Sequence, residues 1–329
     1  MKTPLLSICI ATYNRADYIG ETLDSIISQL TDDMELLVVD GASTDNTENV
    51  MRNYLKKSDL IRYIRFPNKG GVDQDYDKSV ELARGEFCWL FTDDDLLKPG
   101  AVAAVKLAIN TGYGLIIVNA DIQNRKLSGV LQSQRIRMKE DKIYSFSEME
   151  NLFIDAMWLL SFIGAVVIKR SIWLSRERKL YYGTEFIHVG VLFQRPMEEA
   201  AIIIAKPYIS IRYGNSQWTK RSIDIWMFKW PSLVWSFKDI SDGAKKRITQ
   251  REPWKNFKHL LAYRSEGVYD FRSYEQYFSA KRLSVLWKFC AWLIACFPVP
   301  VILGLRYFYS RRRSESKIFF DHNFRQKKR

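Results

Sequence analysis

Three short apolar runs, residues 5–10, 34–39 and 87–91, and a further strand-like run at 60–66 each stop at a polar cluster: Thr12-Tyr13-Asn14-Arg15, residues 40–45, Asp93-Asp94-Asp95 and, after 60–66, residues 68–75. Apolar runs of this kind belong to strands buried on both faces, because a half-exposed strand would alternate polar and apolar residues. Between the runs, Ile19, Leu23, Ile26, Ile27 and Leu30 recur at helical spacing, and Val50, Tyr54 and Leu55 mark a second helix. Strands that alternate with helices dictate an α/β fold, a mostly parallel sheet flanked by helices and joined by right-handed crossovers. Ligands of such sheets sit beyond the carboxyl ends of the strands, where each of these polar clusters falls.

Further along, a strand fits residues 115–119, a helix begins near Ser147, and residues 163–168 form another apolar strand. The stretch Tyr182-Gly183-Thr184-Glu185-Phe186-Ile187-His188 opens a short helix, and residues 201–204 and 208–213 read as two closing strands. Beyond residue 217 the composition changes. Seven of the ten Trp lie there, in segments of helical period. The chain therefore divides into an α/β domain over residues 1–217 and a Trp-rich helical region over residues 218–329. At 329 residues and 47% hydrophobic content it is a globular protein with a large core. The four cysteines, Cys9, Cys88, Cys290 and Cys296, lack metal-binding spacing and fall in apolar runs, so they read as buried thiols of a reducing compartment.

The net charge of +13 points to an anionic partner, and its distribution narrows the choice. From Lys281 onward there are twelve basic and two acidic residues, so +10 of the +13 lies in the last stretch. That charge flanks the most apolar segment, residues 283–309, in which seventeen residues from 289 to 305 carry no charge. This is the lower limit for a membrane span, and Pro298 and Pro300 interrupt it. Basic residues on both flanks favour a re-entrant or interfacial anchor on an anionic membrane surface over a single crossing. A nucleic-acid-binding protein would instead disperse its charge over a groove with interleaved aromatics.

Three consecutive carboxylates at a strand end repel one another unless a cation or hydrogen-bond donors compensate. A hard divalent ion held by oxygen ligands and substrate phosphates is one compensator. A solvated acidic loop capping the helix after Pro99 is the alternative. Asp45 reads as an Asx turn or cap before Thr47. No Gly-Lys-Ser/Thr phosphate loop is present, and Gly70-Gly71 alone is a turn signal.

The runs Ser7-Ile-Cys-Ile-Ala-Thr-Tyr-Asn-Arg, Leu37-Val-Val-Asp-Gly-Ala-Ser-Thr-Asp-Asn-Thr, Asn68-Lys-Gly-Gly and Ala83-Arg-Gly-Glu-Phe-Cys-Trp-Leu-Phe-Thr-Asp-Asp-Asp-Leu-Leu-Lys-Pro-Gly resemble the family 2 glycosyltransferases of the GT-A (Rossmann-like) fold. With Gly71-Val-Asp-Gln-Asp-Tyr-Asp they look like the abequosyltransferase-like enzymes of bacterial surface polysaccharide. The resemblance implies that Thr12, Asn14 and Arg15 hold the nucleotide of a nucleotide-diphosphate sugar. It implies that Asp40 accepts a hydrogen bond from the base, which favours the imide N–H of UDP or dTDP sugars over cytosine. Asp93 would contact the ribose, and Asp94, assisted by Asp95, would ligate Mg²⁺ or Mn²⁺. Lys69 is placed to pair with a phosphate or the base.

An inverting transfer needs a carboxylate to deprotonate the acceptor hydroxyl, and Glu185 stands where the family carries it, with Phe186 replacing the usual second acid. A first-turn Glu favoured by the helix dipole is the alternative. His188, on the same helical face, would bind the diphosphate or orient the base, or be simply hydrogen-bonded. Arg212 and Asn215 would contact the leaving group, or form a surface turn. No Gln-x-x-Arg-Trp motif and no series of spans occurs, which argues against a processive synthase that extrudes its polymer. The expectation is a single-sugar transferase on the cytoplasmic face of the bacterial inner membrane, acting on a polyprenyl-diphosphate-linked saccharide, with no nucleic acid partner. Its rival, an inactive GT-A scaffold, requires lost acids, yet all three aspartates are present.

Overall fold

The computed structural model describes residues 3–215 and 221–303. They form two compact units, one of residues 3–215 with 233–249, the other of residues 221–232 with 250–303. In the first unit the strands are β1 (Leu6–Thr12), β2 (Met34–Asp40), β3 (Ile61–Arg65) and β4 (Phe87–Phe91), then β5 (Leu96–Leu97), β6 (Leu115–Gln123), β7 (Val130–Gln132), β8 (Lys142–Tyr144), β9 (Val166–Lys169) and β10 (Ala201–Arg212). Helices α1 (Ile19–Ile27), α2 (Thr47–Leu55), α3 (Val72–Leu82), α4 (Ala101–Thr111), α5 (Met149–Leu160), α6 (Arg170–Leu174) and α7 (Ile187–Phe193) lie between them.

The sheet runs in the order β3-β2-β1-β4-β9-β6-β10-β5, with β7 beside β6 and β8 beside β10. β1, β2, β3 and β4 are mutually parallel, as are β6 and β10. β9 runs antiparallel between β4 and β6, with Cys88 opposite Ile168 and Ile116 opposite Val167. β1, β2 and β4 are buried along nearly their whole length, and each fully buried Leu or Ile contributes about 1.5–3 kcal/mol. α1 follows the expected stripe, burying Ile19, Leu23 and Ile26.

Three local differences from the sequence reading have simple causes. The two expected closing strands are one strand, β10, with an irregularity between Ile204 and Ile209 that carries the chain past Pro207 without losing β6. Residues 68–75 are not a single loop, because α3 begins at Val72 after Gly71 with φ +107°, a conformation open to glycine. Cys9 and Cys88 are buried free thiols, but Cys290 is partly exposed and Cys296 exposed, on a helix that is only half covered.

That helix, Val285–Cys296, belongs to the second unit. There Ala291 and Ala295 are buried with Trp254, Leu260, Tyr269 and Phe278 in an aromatic core. Trp254 and Phe278 have ring centroids 5.7 Å apart, and Phe278 meets Trp287 edge-on at 5.2 Å. Polar side chains cap its helices: Asn256 accepts from Lys258 N–H, Asp270 from Ser273 N–H and Ser284 from Trp287 N–H.

Candidate active site

The site is built from loops that leave the carboxyl ends of β1, β2 and β4. Asn14, in the left-handed region at φ +54°, joins the first two. Its Oδ1 accepts from Thr44 N–H at 2.7 Å and Asp45 N–H at 3.3 Å, and its own N–H donates to Ser43 Oγ at 2.9 Å. The Asn14 side chain thus holds the loop after β2 in shape. Thr12 is buried at the end of β1. Asp45 accepts from Thr47 N–H at 3.0 Å, the turn role expected of it.

Asp40 ends β2 and is fully buried, with Oδ1 accepting from Ser43 N–H at 2.7 Å and Oδ2 from Tyr63 O–H at 2.5 Å. Beside it lies a carboxyl that sequence reasoning passed over, Asp75 in the first turn of α3. A Cβ at Gly41 or Gly70 would stand 2.6 or 2.9 Å from its oxygens, so both glycines make room for it. The Asp75 side chain has no hydrogen-bond partner among the described residues. Burial, reinforced by the charge of Asp40, pushes its pKa up to about 6, while Lys69 pulls it down. Lys69 is exposed and its ammonium lies 3.7 Å from the centroid of the Tyr13 ring. Tyr13, Lys69, Asp40 and Asp75 thus come together, the last because helix period carries it to the β2 side of α3.

The three aspartates after β4 have separate surroundings. Asp93 and Asp94 face Arg15, whose guanidinium lies 3.3 Å from a carboxylate oxygen of each. Asn215 Nδ2 donates to Asp94 Oδ2 at 2.7 Å, and its carbonyl accepts from Arg15 at 3.2 Å. Arg15, Asp93, Asp94 and Asn215 therefore form one cluster. Arg15 does not neutralise it. Burial, followed by the charge of Asp94, raises Asp93 to about 7, and burial raises Asp94 as well.

Asp95, expected to assist with metal, ties strands together. Its Oδ2 accepts from Thr92 O–H at 2.5 Å and its Oδ1 from Arg212 N–H at 2.6 Å, pinning the end of β4 to the end of β10. The acidic run does not cap α4, whose N-cap is Gly100. Arg212 is likewise committed within the chain. Its guanidinium donates to the carbonyls of Asp94 and Arg125, each at 2.9 Å, and to the Glu21 carboxylate, so three of its five N–H donors are spent within the chain.

Among the described residues no group of three His, Cys, Asp or Glu side chains forms a ready-made metal cage. Asp94 with Asp93 alongside is a donor set of hard oxygens and few protein ligands. It fits Mg²⁺ or Mn²⁺, which take most of their coordination from phosphate and water.

Glu185 is not in the first turn of a helix. α7 starts at Ile187, and Glu185 sits before it at φ +69°, two residues after Gly183 at φ +84°. A left-handed backbone at a non-glycine residue costs on the order of 1 kcal/mol and persists only where neighbours enforce it. The enforcer is Asp73, also absent from the sequence reading, whose Oδ2 accepts from Glu185 N–H at 2.9 Å and Oδ1 from Ile187 N–H at 3.0 Å. Because the helix starts later than expected, His188 does not share a helical face with Glu185. Its ring is buried, Nε2 donates to the Leu160 carbonyl at 2.7 Å, and burial lowers its pKa to about 4. A neutral ring with its only N–H on Leu160 has no donor left for a diphosphate.

The fold is that of the GT-A glycosyltransferases. Residues 7–166 match the family described as glycosyl transferase family 2, so the chain is a glycosyltransferase that carries a family 2 domain. It is 26% identical over 230 residues to the abequosyltransferase RfbV of Salmonella typhimurium, covering 66% of this chain and 69% of that protein. Over 121 residues it is 33% identical to the GalNAc(5)-diNAcBac-PP-undecaprenol beta-1,3-glucosyltransferase of Campylobacter jejuni, covering 36% of this chain and 39% of that one. Among solved structures, S. aureus TarS 1–349 in complex with UDP-GlcNAc has a TM-score of 0.54 at 15% identity, covering 73% of this chain and 69% of that one. The Pyrobaculum calidifontis mannosyltransferase PcManGT, in complex with GDP-Man and Mn²⁺, has a TM-score of 0.50 at 19% identity, covering 96% and 82%.

Proposed function

We propose that this protein moves a single sugar, with inversion, from a nucleotide-diphosphate donor to a hydroxyl of a polyprenyl-diphosphate-linked saccharide, as a step in building bacterial surface polysaccharide. The observation that carries the reading is the Asp93–Asp94 pair, buried beyond the carboxyl end of β4 with proton affinities raised despite Arg15. Such a pair is under-compensated by its own chain, and a divalent cation with a diphosphate supplies what is missing. Bound by Asp94, Mg²⁺ or Mn²⁺ would offset the charge of the departing diphosphate.

The remaining roles fall to side chains. Arg15 and Asn215 would orient the diphosphate end of the donor, and Asp93 the ribose. Tyr13 and Lys69 would flank the base, and the acceptor-only carboxylates of Asp40 and Asp75 suit the imide N–H of uracil or thymine. Glu185 would take the acceptor proton as its oxygen attacks the anomeric carbon. The names of the Salmonella and Campylobacter relatives support a saccharide of the bacterial envelope and a polyprenyl-linked acceptor.

We place the reaction at the cytoplasmic face of the inner membrane, and the second unit supports the membrane association this needs. No helix among the described residues is long and apolar enough to cross a membrane. Helix Val285–Cys296 turns Ala291 and Ala295 inward, while Val285 is 85% exposed, Leu286 72% and Phe289 53%, with Trp292 and Leu293 exposed beside them. Together with the basic flanks this supports an interfacial anchor on anionic lipid. Residues 304–309 of the apolar segment lie outside the described residues. Since the inner face of the helix belongs to a core, the anchor is tested by replacing Phe289, Trp292 and Leu293 with Ser, which should abolish binding to phosphatidylglycerol vesicles and leave the melting temperature unchanged. Unaltered vesicle binding would remove the anchor.

The donor reading is tested by thermal shift with UDP, dTDP, CDP and GDP, each with and without Mn²⁺. A nucleotide at a hundred times its Kd stabilises by about 2.7 kcal/mol. UDP or dTDP should raise the midpoint only when Mn²⁺ is present. Equal shifts from all four, independent of metal, would overturn both the nucleotide and the metal assignment.

A further inference from the structure

α3 presents three acids at helical spacing, Asp73, Asp77 and Glu81, and all three face one segment of chain far along the sequence. Glu81 binds Arg178 at 2.7 Å. Asp77 accepts from Trp173 Nε1 at 2.9 Å, Arg178 Nε at 2.5 Å and Tyr182 O–H at 2.6 Å. Asp73 continues the row onto Glu185 and Ile187, accepting an N–H from each. Every rung grips the stretch that leads into the candidate base, and the contacts come closer to that base along the helix from Glu81 to Asp73.

The last rung differs from the others in what it holds. Asp77 and Glu81 bind side chains, whereas Asp73 binds peptide groups. One is the first N–H of α7, which has no acceptor within its own helix. The other is the N–H of Glu185, the peptide whose left-handed rotation fixes where that side chain points. Asp73 is buried, and an Asn could accept only one of the two N–H groups well, since its amide nitrogen is a donor.

We propose that Asp73 is a positioning residue for Glu185: it locks the strained backbone that aims the base at the acceptor hydroxyl, without touching donor or acceptor. This rests on Glu185 being the base. A misplacement of about 1 Å at a reacting group costs on the order of a hundredfold in rate, so loosening this peptide should be felt in turnover and not in donor affinity.

A double-mutant cycle on the full chain tests it, with transfer rate, donor affinity by calorimetry and melting temperature as readouts. Asp73→Asn should lower kcat roughly 10- to 100-fold and leave the donor Kd within twofold. Glu185→Gln should lower kcat by about two to four orders of magnitude. The double variant should be no slower than Glu185→Gln alone, because a misaimed residue that is no longer a base cannot lose more. If Asp73→Asn does not fold, Asp73→Glu keeps both acceptors but displaces them, and the same non-additivity is expected. An equal, independent loss in the Glu185→Gln background overturns the positioning role while the base stands, and so does a loss of donor affinity in either Asp73 variant. Near-normal turnover of Glu185→Gln overturns the base and the positioning role together.

Discussion

Glu35 and Asp94 lie at opposite ends of the same group of parallel strands, and the chain treats their charges in opposite ways. Glu35, at the start of β2, is buried, which opposes ionisation. Ser7 O–H at 2.6 Å, Arg84 N–H at 2.5 Å and Arg62 at 2.8 Å outweigh that burial and hold its carboxyl below the usual range. At the other end Asp93 and Asp94 share a single guanidinium, and both proton affinities are raised. A charge saturated by its own chain can only stabilise the fold. One left short of partners lowers stability, and is retained where something that binds completes it.

The sharpest way to break the comparison is Asp94→Asn. If the carboxyl end is reserved for cation and diphosphate, this variant should lose roughly a thousandfold in transfer rate and the Mn²⁺-dependent nucleotide shift. Its melting temperature without ligand should not fall, because the lost charge was costly to hold. Full activity would end the assignment. Glu35→Ala should do the reverse. Removing one partner of a buried ion pair costs about 3 kcal/mol, read as a lower urea midpoint at unchanged slope, with normal turnover for the protein that remains folded. The depressed proton affinity of Glu35 also means that its stabilisation is complete above the ordinary carboxylate range and is lost as pH falls through its lowered value. If Glu35→Ala impaired transfer with stability intact, the two ends would not differ in kind.

The strand ends were legible because continuous apolar runs that stop at Asp40 and Asp93 leave little choice of fold. What stayed hidden required distances across the chain. That Arg212 is anchored could not be read, because the Asp94 and Arg125 carbonyls and Glu21 that take three of its five donors come from three other segments. His188 reads as a neighbour of Glu185 only if the helix starts at Glu185, and Asp73 delays that start. Asp73 and Asp75 were passed over because residues 68–75 look like one polar loop. A helix nucleated at Gly71 instead sends residues two apart to different sides, one toward Glu185 and the other toward Asp40.

Asp75 gives the smallest effect and the finest test, since it is an acid on the reserved side whose side chain makes no hydrogen bond among the described residues. Its folded pKa, about 6, stands above its ordinary value, so the folded chain holds this proton more tightly than the unfolded chain. Its contribution to stability is therefore fully present below the ordinary carboxylate value and is lost as pH rises through about 6. Asp75→Asn removes a charge that is unfavourable at neutral pH, so it should stabilise the protein there by about 1 kcal/mol, roughly 2–4 °C in melting temperature. It should also flatten the decline in melting temperature between about pH 5 and about pH 7.5. Donor affinity, measured by calorimetry with UDP and Mn²⁺, should fall severalfold in the same variant, which separates a reserved charge from a merely tolerated one. A lower melting temperature with unchanged donor affinity would instead place Asp75 with Glu35, as a carboxylate that the fold itself requires.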